Sequence, residues 1–398
     1  MPSRDEVTYF GAGPAGLPTA VLETAAKALV NYDGTGLGLA EHYHRSELAI
    51  NILNATKADL AKYLNIPDDY EVLFKQGGGN GEFSATLYNF VGFWVETRRQ
   101  QILKSLGNVE RPSTGDQEAV SELLQKAVRE ELKVDYLVTG WWSLKASQEA
   151  TRLLDPKHVN IATDAREANG GKFGLIPEES TWKLSKAPAM IYYCDNETVD
   201  GVEFPEFPKI LESSSADAEP IVVADMSSNI LSRRIPVKKF SAIFFVAQKN
   251  LGTTGITVVI IKKNLLPPTL ATPPPTLMRQ LGLPICPIVQ DYATIAKNNS
   301  LFNTLSIFNV YIAGLVLKGL LNNFLDKVDG QQALAEKKAA ILYAALDEHP
   351  NFYKVASLDG HVKNVLTKVF SQVVPDKTVR SRMNICFRCL VSTSPNIF

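Results

Sequence analysis

Cysteine is scarce in this chain, with four in 398 residues, at Cys194, Cys286, Cys386 and Cys389. So few, so scattered, exclude a disulfide framework in a chain of this length. Cys386 and Cys389 form a C-x-x-C, but neither a second pair nor a histidine cluster accompanies it, so buried thiols are expected and no metal site. An excess of either charge is missing too: Lys plus Arg number 41 against 42 for Asp plus Glu. No global field then points to nucleic acid or to an anionic membrane. Long apolar runs are also absent. The most apolar helix-like stretch, Phe308 to Leu321, is too short to span a bilayer and is interrupted by Lys318. The opening MPSRDEVTYF has neither the apolar core of a secretory signal nor the Arg/Ser-rich, acid-poor character of a transit peptide, so a cytoplasmic location is expected. What is present, 45% hydrophobic and 21% charged residues, is ordinary for a globular chain. Its length suits one large α/β domain with a smaller partner, or two to three ordinary domains.

The stretch Ser241 to Lys263 organises the rest. SAIFFVAQKN is an apolar run of strand character that ends in a lysine, LGTTG is a glycine-containing turn, and ITVVIIKK returns to the core. Lys249 either caps the strand in solvent or lies buried, and burial would lower its pKa and make its amine a better nucleophile. Residues 221–225, IVVAD, form another buried strand ending in Asp225, followed by SSNILSRR. Strands alternating with helices predict a mostly parallel, doubly wound sheet whose ligands bind at the carboxyl ends of the strands. Asp225 and Lys249 both fall there.

Glycine marks two further sites. Gly11 to Gly16 reads GAGPAG, a G-x-G-x-x-G, but no second strand follows at the spacing a dinucleotide fold needs; a Gly/Pro turn into a helix starting near Thr19 fits better. Tyr70 to Phe74 is a strand candidate followed by KQGGGNGEF and a helical pattern, the order that presents backbone N–H groups to a phosphate. No G-K-[ST] is present, so a cofactor phosphate suits the loop better than ATP, with a flexible turn as the alternative. His44 and Arg45 precede a helical pattern, where they either bind an acidic group or sit in a solvated loop. Trp141 and Trp142 follow the strand VDYLVTG, as core mass or as rings to stack on a flat heterocycle. From 96 to 133 the composition becomes charged and helix-forming, which predicts two surface helices in a peripheral insertion. A long apolar helix over 306–328 is expected to turn at Asp329-Gly330 into another helix, near which a smaller domain begins.

A strand-end acid followed one unit later by a strand-end lysine is the pair a pyridoxal phosphate enzyme of the large aminotransferase fold requires. In this order, GAGPAGLP, the His-Arg at 44–45, FKQGGGNGEF, CDNETVDG, VVADMSSNILSR, AQKNLGTTGITVVII and SLFNT resemble the phosphoserine aminotransferases of the class-V pyridoxal-phosphate-dependent family. The resemblance runs to about Phe387 and excludes the 96–133 segment. It implies an α/β fold of type I, with a mostly parallel seven-stranded sheet in a large domain over 17–325, an N-terminal segment 1–16 near the site, and a small C-terminal domain over 326–398. It further implies that Lys249 forms the Schiff base, Asp225 pairs with the pyridine nitrogen, Trp142 stacks on the ring and Thr198 hydrogen-bonds the cofactor. Gly79, Asn80 and Gln248 would hold the phosphate, with Asn303 and Thr304 from the other subunit of a homodimer, and His44 and Arg45 would face the acidic groups of the substrate. The implied reaction moves an amino group from L-glutamate to 3-phosphohydroxypyruvate, giving O-phospho-L-serine and 2-oxoglutarate in serine biosynthesis. Three departures stand out. Ala12 stands where some members have serine, and Asn80 where bacterial members have arginine. After RSRMNICFR the family continues with a His-Arg pair and an arginine that clamps the substrate α-carboxylate, whereas this chain ends CLVSTSPNIF. The small domain is therefore expected to be incomplete, and an impaired family member that still binds the cofactor is the alternative.

Overall fold

The computed structural model describes residues 2–9, 11, 13–107, 114–212, 219–348 and 374–386. Ala12, Cys389 and the terminal CLVSTSPNIF, on which expectations above rest, lie outside these residues. Two helices come first, α1 (Thr19–Val30) and α2 (Glu47–Leu64). The first starts where the Gly/Pro turn was expected to end. Ser46 caps α2 through a bond from the Ala49 N–H at 3.3 Å, and Asn65, left-handed at φ 51°, ends it. Then follow β1 (Tyr70–Lys75), α3 (Gly78–Ser105), α4 (Thr114–Glu131), β2 (Val134–Val138), α5 (Trp141–Leu153), β3 (Val159–Asp164) and the short α6 (Ala165–Ala168). The chain continues through β4 (Met190–Cys194), a hairpin of β5 (Asn196–Glu197) and β6 (Val202–Glu203), then β7 (Val222–Asp225), β8 (Ala242–Val246) and β9 (Thr257–Lys262). Helices α7 (Pro275–Gln280), α8 (Tyr292–Lys297), α9 (Ile307–Asn323) and α10 (Val328–Glu348) complete the described elements.

Seven strands form one sheet in the order β1-β9-β8-β7-β4-β2-β3. All neighbours are parallel except those of β9, which runs antiparallel to both β1 and β8. Strands β8 and β9 are apolar along almost their whole length because both faces are covered. Successive side chains point to opposite faces, so Ile243, Phe245, Val258 and Ile260 join one core with Leu53 and Leu60 of α2 and Val310 and Leu317 of α9. Phe244, Val259 and Ile261 join a second core with Phe83 and Phe90 of α3, Leu124 of α4 and Tyr136. Each fully buried phenylalanine contributes roughly 1.5–3 kcal/mol. The crossing of α2 and α9 is close: a Cβ on Gly314 would lie 2.7 Å from Thr56 Oγ1.

Two sequence expectations change. The peripheral two-helix insertion over 96–133 is instead the end of α3, which runs on to Ser105, together with α4. Val120, Leu124, Val128 and Leu132 are buried in the second core, so the charged residues of this stretch are the solvent faces of layer helices. The turn after the long apolar helix falls at Phe324 to Lys327 and not at Asp329-Gly330, because Lys327 takes the left-handed conformation (φ 56°) while Gly330 lies inside α10. No single helix among the described residues is long and apolar enough to cross a membrane.

Candidate active site

The parallel strands β4, β7 and β8 end at the same edge of the sheet, and that edge collects the chemistry. Asp225, the last residue of β7, pairs in register with Cys194 on β4 and Phe244 on β8. Asp225 is 7% exposed, its carboxylate accepts the Ser227 N–H at 2.8 Å, and burial pushes its pKa up. Lys249 lies three residues past the end of β8, in a turn closed by the Gly252 N–H on the Ala247 carbonyl at 2.7 Å. The lysine is half-buried. Its Nζ donates to Thr198 Oγ1 at 2.6 Å. Burial lowers the amine's pKa, and the charges of Asp225, Cys194 and Glu197 offset part of that. The choice left open for Lys249 is settled by the fold: its amine points inward.

Thr198 is presented by the β5/β6 hairpin, and the residues around it hold α5. Glu197, fully buried, accepts the Trp142 and Ser143 N–H groups, both at 2.9 Å, and Asp200 accepts the Trp141 N–H at 2.6 Å. These carboxylates satisfy free N–H groups at the helix start and lie at its positive end. Gly140 makes the approach possible, since a Cβ there would fall 2.4 Å from Glu197 Cδ. Burial, and then the neighbouring Asp200, push Glu197 up to about 7; burial pushes Asp200 up to about 6. Trp142 is thereby fixed, its ring 6.4 Å from Phe83 and under the Lys145 ammonium at 4.8 Å, with Nε1 buried and unpartnered among the described residues.

The glycine loop joins β1 to α3. Gly77 and Gly78 hold φ of 150° and 64°, the latter in the left-handed region that glycine tolerates, and α3 begins at Gly78, earlier than the sequence suggested. Among the described residues the Gly79 and Asn80 N–H groups have no protein acceptor, leaving two donors open at the start of a 28-residue helix. Beneath the loop is a buried ion pair, Lys75 Nζ to Glu82 Oε2 at 2.8 Å, which Tyr292 and Gln290 complete by further hydrogen bonds. Gln248 is half-buried beside Lys249, and its carbonyl accepts the Ala15 N–H at 3.0 Å.

A second group stands apart. Asn303 Nδ2 donates to Gln76 Oε1 at 2.8 Å, and Gln76 donates to the Thr304 carbonyl at 2.6 Å. Arg45 donates from Nε to the Leu301 carbonyl at 2.9 Å and from a terminal nitrogen to the Phe302 carbonyl at 3.1 Å. His44 is half-buried beside it, with Nε2 unpartnered among the described residues. Asn303, Thr304 and Arg45 are exposed, and no hydrogen bond among the described residues joins this group to Lys249 or Asp225. Sequence reasoning passed over Glu197, Asp200, Lys75 and Glu82. The only signal for the first two was their position flanking Thr198 in NETVD; for Lys75 and Glu82 it was the anomaly of charge in an apolar strand and a helix face.

Residues 7–108 and 111–387 match the model of the class-V aminotransferase family. The chain belongs to that family. The phosphoserine aminotransferase of Saccharomyces cerevisiae is 40% identical over 371 residues, 92% of this chain and 84% of the relative. That of Drosophila melanogaster is 34% identical over 382 residues, 96% of this chain and 82% of the relative. A solved structure, the PLP-bound phosphoserine aminotransferase of Trichomonas vaginalis, superposes with a TM-score of 0.70 at 31% identity, covering 96% of this chain and 83% of that one. Within the class, this chain's place is with the phosphoserine aminotransferases.

Proposed function

We propose that the chain is a pyridoxal-phosphate-dependent transaminase that moves an amino group from L-glutamate to 3-phosphohydroxypyruvate, giving O-phospho-L-serine and 2-oxoglutarate. The observation that carries this is the strand-end pair: a buried Asp225 at the end of β7 and, one unit on, the inward amine of Lys249 held 2.6 Å from Thr198. The donor set fits the cofactor at each of its parts. Open N–H groups on Gly79 and Asn80 suit a phosphate, a buried carboxylate suits a protonated ring nitrogen, and the Trp142 ring suits a flat face. When bound, pyridoxal phosphate supplies an electrophilic aldehyde and a ring that withdraws electrons from the substrate carbon.

The protein's own residues do the rest. Lys249, its pKa lowered by burial, is the residue whose Nζ would hold the cofactor and would carry the proton to and from the substrate carbon. Asp225 holds the proton on the ring nitrogen. Thr198 orients the cofactor and the Lys249 amine together. Gln248 joins Gly79 and Asn80 on the phosphate. Asn303 and Thr304 complete the phosphate site of a second copy in a homodimer, which their exposure allows. Because Arg45 is bonded to the carbonyls of residues 301 and 302, His44 and Arg45 travel with that pair toward the acidic groups of the substrate. An impaired member that keeps only cofactor binding is not favoured, given a relative bearing the activity's name along 92% of this chain.

We also divide the chain into a large domain over 17–325 and a smaller one over 326–398, with residues 1–16 against the site, which the Ala15 to Gln248 bond supports. A cytoplasmic location belongs to the same proposal and suits the thiols of Cys194 and Cys286, which form no disulfide. The test is phosphoserine formation from glutamate and 3-phosphohydroxypyruvate by the cofactor-loaded protein. Lys249→Ala is expected to lose the visible absorbance of lysine-bound cofactor and at least about 10²–10⁴-fold in rate. A loaded wild-type protein that forms no phosphoserine overturns the proposal.

A further inference from the structure

β9 runs antiparallel to both of its neighbours, β1 and β8, so its first residue lies at the edge where those two strands finish. That residue is Thr257. It pairs with Lys75, the last residue of β1 before the glycine loop, and with Val246, the last residue of β8 before the Lys249 turn. Its side chain is fully buried, and Oγ1 accepts the Gly78 N–H at 2.9 Å. Gly78 is the first residue of α3, and the Gly81 N–H is taken by the Gly77 carbonyl at 3.3 Å. Of the four N–H groups at this helix start, one is thus held by Thr257, one closes the first turn, and the two between them, on Gly79 and Asn80, have no acceptor among the described residues. Gly77 and Gly78, with φ of 150° and 64°, have no side chain to fix that arrangement, and the side chain of Gln76 before them is engaged with Asn303 and Thr304.

We propose that Thr257 is a positioning residue for anion recognition by the glycine loop. By holding the Gly78 N–H it aims the Gly79 and Asn80 N–H groups at one point. Being paired to both neighbouring strand ends, it also sets that point relative to the Lys249 amine. It touches neither the ring nor the reacting atoms. The inference rests on the proposed use of pyridoxal phosphate, and it concerns the phosphate of that cofactor and not its aldehyde or ring.

The experiment measures dissociation constants of cofactor-stripped protein for pyridoxal phosphate and for pyridoxal, in the wild type, Thr257→Val and Thr257→Ser. Valine keeps the shape and the strand preference of threonine but offers no acceptor, leaving the Gly78 N–H unpaired. Thr257→Val is expected to weaken pyridoxal phosphate about tenfold, the effect of one lost hydrogen bond, while pyridoxal binding stays within about twofold. Thr257→Ser, which restores the hydroxyl, is expected to return pyridoxal phosphate affinity to within about threefold of wild type. Equal weakening of both ligands by Thr257→Val, or no weakening of either, overturns the inference and leaves the proposed function standing. If Thr257→Val does not fold, a serine variant with tenfold weaker pyridoxal phosphate binding overturns it as well. A wild-type protein that binds neither ligand overturns both.

Discussion

A lysine and an aspartate at neighbouring strand ends are informative because each is expensive where it sits. Burial disfavours the charge of both, so Asp225 is pushed up and Lys249 down; hydrogen bonds from Ser227 and then the charge of Lys249 offset part of the first shift, and the charge of Asp225 offsets part of the second. The same desolvation acts on the carboxylates that hold α5, with a consequence for pH. Glu197 titrates near 7 in the folded protein against 4.5 unfolded, so between these values the unfolded chain gives up its proton first. Its contribution to stability is therefore present at low pH and is lost as pH rises toward 7. Asp200, pushed up to about 6, acts in the same sense. Equilibrium denaturation of the cofactor-free protein at several pH values should show stability falling across this range. Glu197→Gln, which cannot titrate, should remove up to about 1.4 kcal/mol per pH unit of that slope.

At the scale of elements, the site depends on how closely the β5/β6 hairpin meets the start of α5. Nothing larger than hydrogen fits on Gly140 while Glu197 and Asp200 keep their bonds to Trp141, Trp142 and Ser143. Gly140→Ala should therefore push the hairpin away, with a loss of about 1–3 kcal/mol in denaturant unfolding. Cofactor affinity should fall with it, because Thr198 and Trp142 sit on the two elements being separated. The helix-forming stretch after residue 96 gives a contrary lesson. Its charge suggested a peripheral insertion, yet Leu124 and Val128 are buried against the sheet-facing core. A high count of charged residues describes the outer face of an amphipathic helix and says nothing of where its inner face is spent.

For the whole molecule, the proposed homodimer makes a prediction: if Asn303 and Thr304 serve the site of the other subunit, Lys249 and this pair belong to different subunits' contributions to one site. A Lys249→Ala chain and an Asn303→Ala/Thr304→Ala chain should each be inactive or nearly so. After subunit exchange, mixed dimers should recover activity, since one of their two sites then combines an intact Lys249 with an intact partner arm. Assay of phosphoserine formation before and after exchange measures this, and no recovery would place both groups on one subunit's site.

The sequence alone determined the α/β layering, Asp225 at the end of one strand and Lys249 just beyond the end of the next, and the glycine loop between β1 and α3. These follow from short-range patterns, apolar runs of strand length and glycine where the backbone must turn, which are complete within a few residues. Only the tertiary structure decided that the Lys249 amine points inward to Thr198, that Glu197 holds a helix 55 residues earlier, and that Thr257 holds an N–H 179 residues away. Such pairings join groups whose local contexts are unremarkable. They come into being when the sheet closes and leaves each buried polar group to find a partner from a distant part of the chain.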